Sequence, residues 1–308
     1  MDFKKFKTLD ASSYDPVIEQ FDYFTELVSK SFAERMISQA EIMPKEKVLD
    51  IGTGTGVVAL RAAKLIDKQG TVYGVDLSEE MLAKAKEKSR LQDISDKVNF
   101  IRMDAENLTF KDKRFDVAVS LFALLHFPQP LNALTEIYRV LRPGGRLILA
   151  VGSGMPILSF QSWFNILKRL PDYFKIWQGR QLTAPDFLDS LVKRTNLADA
   201  QPEESHLADR SLNRSGDAAA LIKQAGFQIL GTEWHGHREI IKTPEEFWEI
   251  QRTFSSIARK RLSGLSDEEY NLLHRNFLDK CKAVQSRGGQ LVYPFGAFYI
   301  SARRPEIS

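Results

Sequence analysis

The stretch VLDIGTGTGVVAL at residues 48–60 restricts this chain more than any other feature. A short apolar run ends at Asp50 and Ile51, and Gly52, Gly54 and Gly56 turn it directly into an apolar helical segment. Glycines at such a turn accept positive φ without steric cost and let the backbone come close to a ligand. A strand feeding a helix through a glycine turn is the opening unit of a doubly wound α/β sheet, where ligands sit at the carboxyl ends of the strands. Two common versions of this turn do not fit. A dinucleotide fingerprint G-x-G-x-x-G requires glycine where Val57 stands, and a phosphate-binding P-loop requires Gly-Lys-Ser/Thr.

The rhythm of the following hundred residues agrees with that unit. Apolar strand candidates fall near 47–51, 71–75, 98–102, 115–120 and 145–151, and helical stretches near 57–66, 79–91 and 130–142 alternate with them. Such alternation predicts a parallel sheet covered on both faces. Ser78 ahead of Glu79, Glu80 and Met81 is placed to cap one of these helices, and RPGG at 142–145 to stop another. Before the glycine turn, Phe21, Phe24, Leu27, Val28, Phe32 and Met36 share one side of a helix over about 15–43, broken once. After Val151 the order weakens. Aromatic residues (Phe160, Trp163, Phe164, Tyr173, Phe174, Trp177) and then a polar stretch suggest an inserted helical lid. A helix, a stop at Gly226, a sixth strand, helices near 244–261 and 266–286, and a final strand in LVYPFGAFYISARR follow.

Two acidic residues extend the pattern along one edge. Asp76 ends the second strand twenty residues after Gly56, where a carboxylate can accept from both ribose hydroxyls; the plainer reading, a helix cap, competes with Ser78. Asp104 closes the third strand, placed to receive an adenine amino group while Met103 covers the ring. In order, VLDIGTGTG, GVDLSEEMLAKAKEK, IRMDAENLTFKDKRFDVAVSLFALLHF and EIYRVLRPGGRLIL resemble the motifs of class I S-adenosylmethionine (SAM)-dependent methyltransferases. They are most similar to the small-molecule branch that includes ubiquinone and menaquinone biosynthesis methyltransferases.

The resemblance implies a Rossmann-like, doubly wound α/β sheet of seven strands with the last antiparallel. It divides the chain into an N-terminal helical cap (1–44), the SAM-binding core (45–152), a lid insertion (153–216) and the remainder of the core with a helical insertion (217–308). Carried over position by position, Asp50 with Gly52, Thr53, Gly54 and Gly56 would hold the methionine moiety, Asp76 the ribose, Asp104 and Ala105 the adenine, Ser120 and Leu121 would line the sulfonium, and Leu77 and Met81 would also contact the cofactor. His126 follows the fourth strand on the same edge and is a candidate general base, against the plainer reading of a histidine that orders the loop before Pro128 and Pro130. Tyr14 lies where related enzymes place a tyrosine near the mouth of the site; the alternative is a surface anchor for the helix. The aromatic set at 160–177 is a candidate acceptor pocket or ordinary core. His206, His235, His237 and His274 read as structural or exposed.

Composition narrows the partners. Net charge is only +3, and the basic residues are scattered, which favours a small molecule over nucleic acid. A single cysteine, the absence of an apolar leader after MDFKKFKTLD and the lack of any run of about 18 apolar residues suggest a cytoplasmic protein with no membrane span. The segment after the fourth strand, SLFALL, lacks the Asp/Asn-Pro-Pro-Tyr pattern of adenine-amino methylation and the acidic ligands of metal-dependent catechol enzymes. Cys281 falls in a late helix, away from any strand end, which argues against cytosine-carbon chemistry. The expectation is thus a metal-independent SAM methyltransferase for a small, partly apolar acceptor, with oxygen, nitrogen or carbon undecided and a homodimer left open. Two alternatives stand beside it: a SAM-binding sensor or partner subunit without catalysis, and an adenine-nucleotide oxidoreductase, which Val57 opposes.

Overall fold

A computed structural model describes residues 2–152, 175, 178, 181–183, 188, 215–254, 258, 259 and 262–306. The first half of the chain builds the expected alternation. Strands β1 (Lys47–Ile51), β2 (Thr71–Asp76), β3 (Val98–Arg102), β4 (Phe115–Leu121) and β5 (Leu141–Gly152) are interleaved with helices. Before them come α1 (Phe3–Ser12), α2 (Ile18–Phe24) and α3 (Lys30–Ala40), and between them α4 (Ala59–Ala63), α5 (Glu79–Leu91) and α6 (Pro130–Val140). Then follow β6 (Gln181–Thr183), α7 (Ser215–Gln224), β7 (Gln228–Ile241), α8 (Pro244–Phe254), α9 (Asp267–Gln285) and β8 (Gln290–Arg303).

The sheet runs β3-β2-β1-β4-β5-β8, with β1 to β5 parallel. The last strand, β8, lies antiparallel between β5 and β7, as the sequence led us to expect. A three-residue strand, β6, joins β8 beyond β5, so the described sheet has eight strands rather than seven. Alternation along each strand splits the core into two. Val48 packs with Phe32, Met36, Leu60 and Leu82 on one face, while its neighbours Leu49 and Ile51 pack with Leu134, Ile137 and Val140 on the other. A third cluster, holding Phe247, Trp248, Leu273, Phe277 and Cys281 with Phe24 and Val28, packs α8, α9 and α2 against Ile241 of β7 and Leu291 and Tyr293 of β8. Burial among them pushes the Cys281 thiol up to about 12, the pKa of an inert core cysteine.

The helix starting at Glu79 begins where expected, with the Ser78 hydroxyl accepting from the Met81 amide at 3.1 Å. Within 15–43 the break falls at a π turn, Thr25–Ser29, between α2 and α3, and a 3-10 turn at Asp15–Val17, set by Pro16, separates α2 from a further helix, α1. Helix α1 itself is not announced by apolar periodicity. It is held by an Asp2 cap that accepts from the Lys4 and Lys5 amides, and it docks through charged side chains. The aromatic set at 160–177 and His206 fall outside the described residues. Among the described residues no helix is long and apolar enough to cross a membrane.

Candidate active site

Strand order reverses between β1 and β4, and the crevice at that switch opens into a cavity of about 480 Å³. Residues after four successive strands wall it: Gly52 to Thr55 and Val57 after β1, Asp76 to Ser78 at β2, Met103 to Ala105 after β3, and Leu121 to Ala123 with Leu125 to Phe127 after β4. The volume lies within the range of cofactor-sized sites.

Geometry forces the glycine turn. Gly52 has φ +66°, and a Cβ there would lie 2.2 Å from Ala123 Cβ, so the first turn fits only without a side chain. Gly54, at φ +52°, gives its amide to Asp76 Oδ2 at 2.9 Å, while the Ser78 amide reaches Asp76 Oδ1 at 3.0 Å. Each carboxylate oxygen thus keeps a lone pair for a ligand in the cavity that Asp76 lines. Enclosure raises the Asp76 carboxyl above its ordinary value, against the pull of those amides. Asp50 is 1 % exposed and does not line the cavity. Its carboxylate accepts from Thr53 Oγ1 at 2.7 Å and the Ala59 amide at 3.0 Å, so it ties the turn to α4. Desolvation pushes its pKa up to about 7.

Of the other residues singled out in the sequence, Thr53, Leu77, Met81, Asp104, Ala105, Leu121, Tyr14 and His126 line the same cavity. Gly56 and Ser120 do not. A Cβ at Gly56 would meet Ala85, Leu60 and Phe100 at 3.2 Å, and Ser120 Oγ donates to the Ile51 carbonyl at 3.1 Å. Both therefore shape the turn and the sheet behind the cavity. His235 and His237 are on β7, and His274 packs on Trp248 at 4.6 Å.

Helix α1 supplies a wall that periodicity did not reveal. Lys7, Asp10 and Ala11 recur at helical spacing, Tyr14 follows just past the end of the helix, and all four line the cavity. Lys7 Nζ stands 2.8 Å from Asp104 Oδ2 and 2.5 Å from Glu106 Oε2. Desolvation lowers its pKa, but the two carboxylates outweigh that and the ammonium is raised. Asp10 Oδ2 lies 3.0 Å from His126 Nδ1, and the Tyr14 ring meets the imidazole edge-on at 6.1 Å. Burial pushes the Tyr14 hydroxyl up to about 12, with the Arg259 guanidinium 4.0 Å over its ring. Beside the glycine turn part of the wall is aromatic. Phe21, Phe254, Tyr293 and Phe295 line it, and Phe254 stacks on Phe295 at 6.4 Å. Thr25 and Ser29 of the π turn and Thr55 of the glycine turn add hydroxyls, and those of Thr25 and Thr55 are buried without a partner.

Comparison with known proteins follows this geometry. Residues 49–149 match the family model described as a methyltransferase domain. Residues 49–149 are thus similar to a methyltransferase domain. A demethylmenaquinone methyltransferase of Lactiplantibacillus plantarum is 34% identical over 139 residues, covering 44% of this chain and 59% of the relative. A ubiquinone/menaquinone biosynthesis C-methyltransferase of Blochmanniella floridana is 33% identical over 145 residues, 46% of this chain and 57% of the relative. The chain thus spans somewhat over half the length of these curated relatives. In fold, it is similar to a putative methyltransferase from Bacillus halodurans (TM-score 0.54, 22% identity, 89% of this chain and 99% of that one). The [4+2]-cyclase SpnF shares the fold too (TM-score 0.52, 20% identity, 90% of this chain and 81% of that one).

Proposed function

We propose that this protein transfers the methyl group of SAM to a small, partly apolar acceptor, without a metal. The observation that carries this reading is the convergence of four strand ends, two of them carrying carboxylates, on one cavity at the switch point. Fit to the cofactor is supported by the unpartnered buried hydroxyl of Thr55 in the glycine turn, and by Gly54, whose positive φ suits glycine and where a Cβ would come within 3.9 Å of the Phe21 ring that lines the same cavity. Asp76 would take the ribose hydroxyls on its remaining lone pairs, and Met103 with Asp104 and Ala105 would border the adenine. Asp104 is already paired with Lys7, so the amino group of adenine would share that carboxylate with an ammonium. Leu121 and Gly52 would border the reacting end.

When bound, SAM supplies a methyl carbon already activated by its sulfonium. What remains for the chain is alignment of the acceptor and exclusion of water. The aromatic wall at Phe21, Phe254, Tyr293 and Phe295 suits a flat, ring-bearing acceptor, held by dispersion and edge contacts. The relatives' names, demethylmenaquinone methyltransferase and C-methyltransferase, make a hydroquinone methylated at carbon the first acceptor to try. The fold does not choose the reaction by itself, since SpnF shares it.

Calorimetric titration with SAM and S-adenosylhomocysteine, with NAD as control, tests the cofactor. Micromolar binding of both sulfur ligands and none of NAD is expected. Transfer of labelled methyl to a short-chain naphthohydroquinone then tests the acceptor. Absence of binding by either sulfur ligand would overturn the reading.

A further inference from the structure

We propose that Asp10 is the positioning residue for His126: carried into the cavity on α1, it fixes the ring with Nδ1 protonated and makes Nε2 the base for the acceptor's hydroxyl proton. This rests on the methyl-transfer reading above. Asp10 is 7 % exposed, and its carboxylate meets Nδ1 at 3.0 Å. An ionised carboxylate only accepts hydrogen bonds, so the contact places the imidazole proton on Nδ1 and leaves the lone pair on Nε2. The ring lines the cavity with its side chain 39% exposed, so the second nitrogen has a ligand space to face.

Four charged or titratable groups surround this imidazole. Asp10 comes from α1, Asp76 from the end of β2, Arg259 from the segment after α8, and Tyr14 from the turn after α1. Burial lowers the ring's pKa and Arg259 lowers it further; Asp10, by hydrogen bond and charge, outweighs them with help from Asp76, and the imidazole is raised. Tyr14 holds its own proton, since burial pushes it up to about 12, and is no rival as base near neutral pH.

In the step, the acceptor O–H bond breaks and an N–H bond forms at Nε2. The oxygen keeps the electron pair, which raises the nucleophilicity of that oxygen or of a ring carbon conjugated with it. The positive charge arising on the ring develops against Asp10, which is already in place. One proton is released to solvent per methyl transferred, whichever atom receives the methyl, and Nε2 returns to its starting state. Lys7, one helical turn away, is paired to Asp104 and Glu106, so the same helix face that borders the adenine end sets the base.

The test uses the full chain saturated with S-adenosylhomocysteine. Histidine ring resonances are followed against pH, with His126 assigned by its disappearance in His126→Gln. The midpoint of His126 is expected above the ordinary histidine value, falling in Asp10→Asn and rising again in Asp10→Glu; the same midpoint in all three overturns the proposal. With the short-chain naphthohydroquinone, Asp10→Asn is expected to move the acid limb of kcat to lower pH and to lower its plateau by about tenfold. KM and SAM affinity should stay within about twofold of the parent. A fall in SAM affinity with an unchanged acid limb would make Asp10 merely structural and overturn the proposal. If the parent protein binds neither sulfur ligand, the methyl-transfer reading fails, while a shifted His126 midpoint would still establish the Asp10 pairing.

Discussion

The two ends of the cavity are built by different means. Along the edge we assign to the cofactor, backbone and short side chains at the tips of β1 to β4 do the positioning, and the central strands β1 and β4 behind them are mostly buried. The facing walls come from α1, the π turn, α8 and β8, segments separated by more than two hundred residues in the chain. A wall made from one local motif tolerates no side chain at its turn. A wall assembled from distant elements can exchange side chains while the sheet behind it stands, which suits an end that must match one acceptor rather than a shared cofactor.

The harshest way to test this contrast is Gly52→Val. The new side chain would have to adopt φ +66° and would start 2.2 Å from Ala123 Cβ. Backbone strain of about 1–3 kcal/mol and overpacking of similar size lead us to expect a loss of about 2–6 kcal/mol. Denaturant melts measure it, and a shift below about 1 kcal/mol would show that the turn is more accommodating than its geometry. Asp50→Asn probes the same turn through pH. Desolvation holds the folded carboxyl near 7 against an ordinary value of 3.8. Below 3.8 both states are protonated and the group is neutral in effect. As pH rises from there toward 7 the unfolded chain ionises while the folded one does not, so stability falls by up to ~1.4 kcal/mol for each pH unit crossed. Asparagine can still accept from Thr53 and Ala59, so the variant should lose this decline. Parallel pH profiles for the two proteins would refute it.

Asp76→Ala leaves the fold in place and strikes the cofactor. Loss of charge-assisted hydrogen bonds to a ribose, worth about 1.5–3 kcal/mol each, should weaken SAM binding by tenfold or more. Part of that loss reflects the freed Gly54 and Ser78 amides, so a melt should accompany the titration. Unchanged affinity would remove the ribose assignment.

How well the sequence disclosed each end follows from the same contrast. The strands β1 and β4 are legible because burial on both faces demands mostly apolar runs, as in VLDI and FDVAVSL, β2 and β3 because short apolar stretches recur between turns, and the edge acids Asp76 and Asp104 follow from where those stretches stop. Asp50, Gly56 and Ser120 were legible as important but not in what they do; spacing does not distinguish a residue facing the cavity from one bracing its wall. Helix α1 was not legible, because it docks through Lys7 and Asp10 rather than through an apolar stripe, and the period of a few charged residues is lost among the other lysines of MDFKKFKTLD. The contributions of Phe254, Tyr293 and Phe295 are invisible for another reason. Each sits in an element with its own sufficient apolar pattern, and only the packing of α8 on α2 and the antiparallel pairing of β8 with β7 set Phe254, Tyr293 and Phe295 together beside Phe21.

Phe254→Ala is the smallest of these changes and the one that separates the two ends most directly. Phe254 is half-buried at the end of α8, edge-on to Phe21 at 5.6 Å and stacked on Phe295 at 6.4 Å. Removing an aromatic partner costs about 0.5–1.5 kcal/mol beyond the lost area, so KM for a ring-bearing acceptor such as a naphthohydroquinone should rise by about 2- to 10-fold. Among the described residues the rings packed on Phe254 are those of Phe21, Phe24, Tyr293 and Phe295, none of them at the tips of β1 to β4, and S-adenosylhomocysteine affinity is expected to stay within about twofold of the parent. The reverse result, weaker cofactor binding with an unchanged acceptor KM, would mean that the aromatic wall belongs to the cofactor's half and that the acceptor enters elsewhere. Because the change is small and local, either outcome is read against a fold that the core at β1 to β5 already secures.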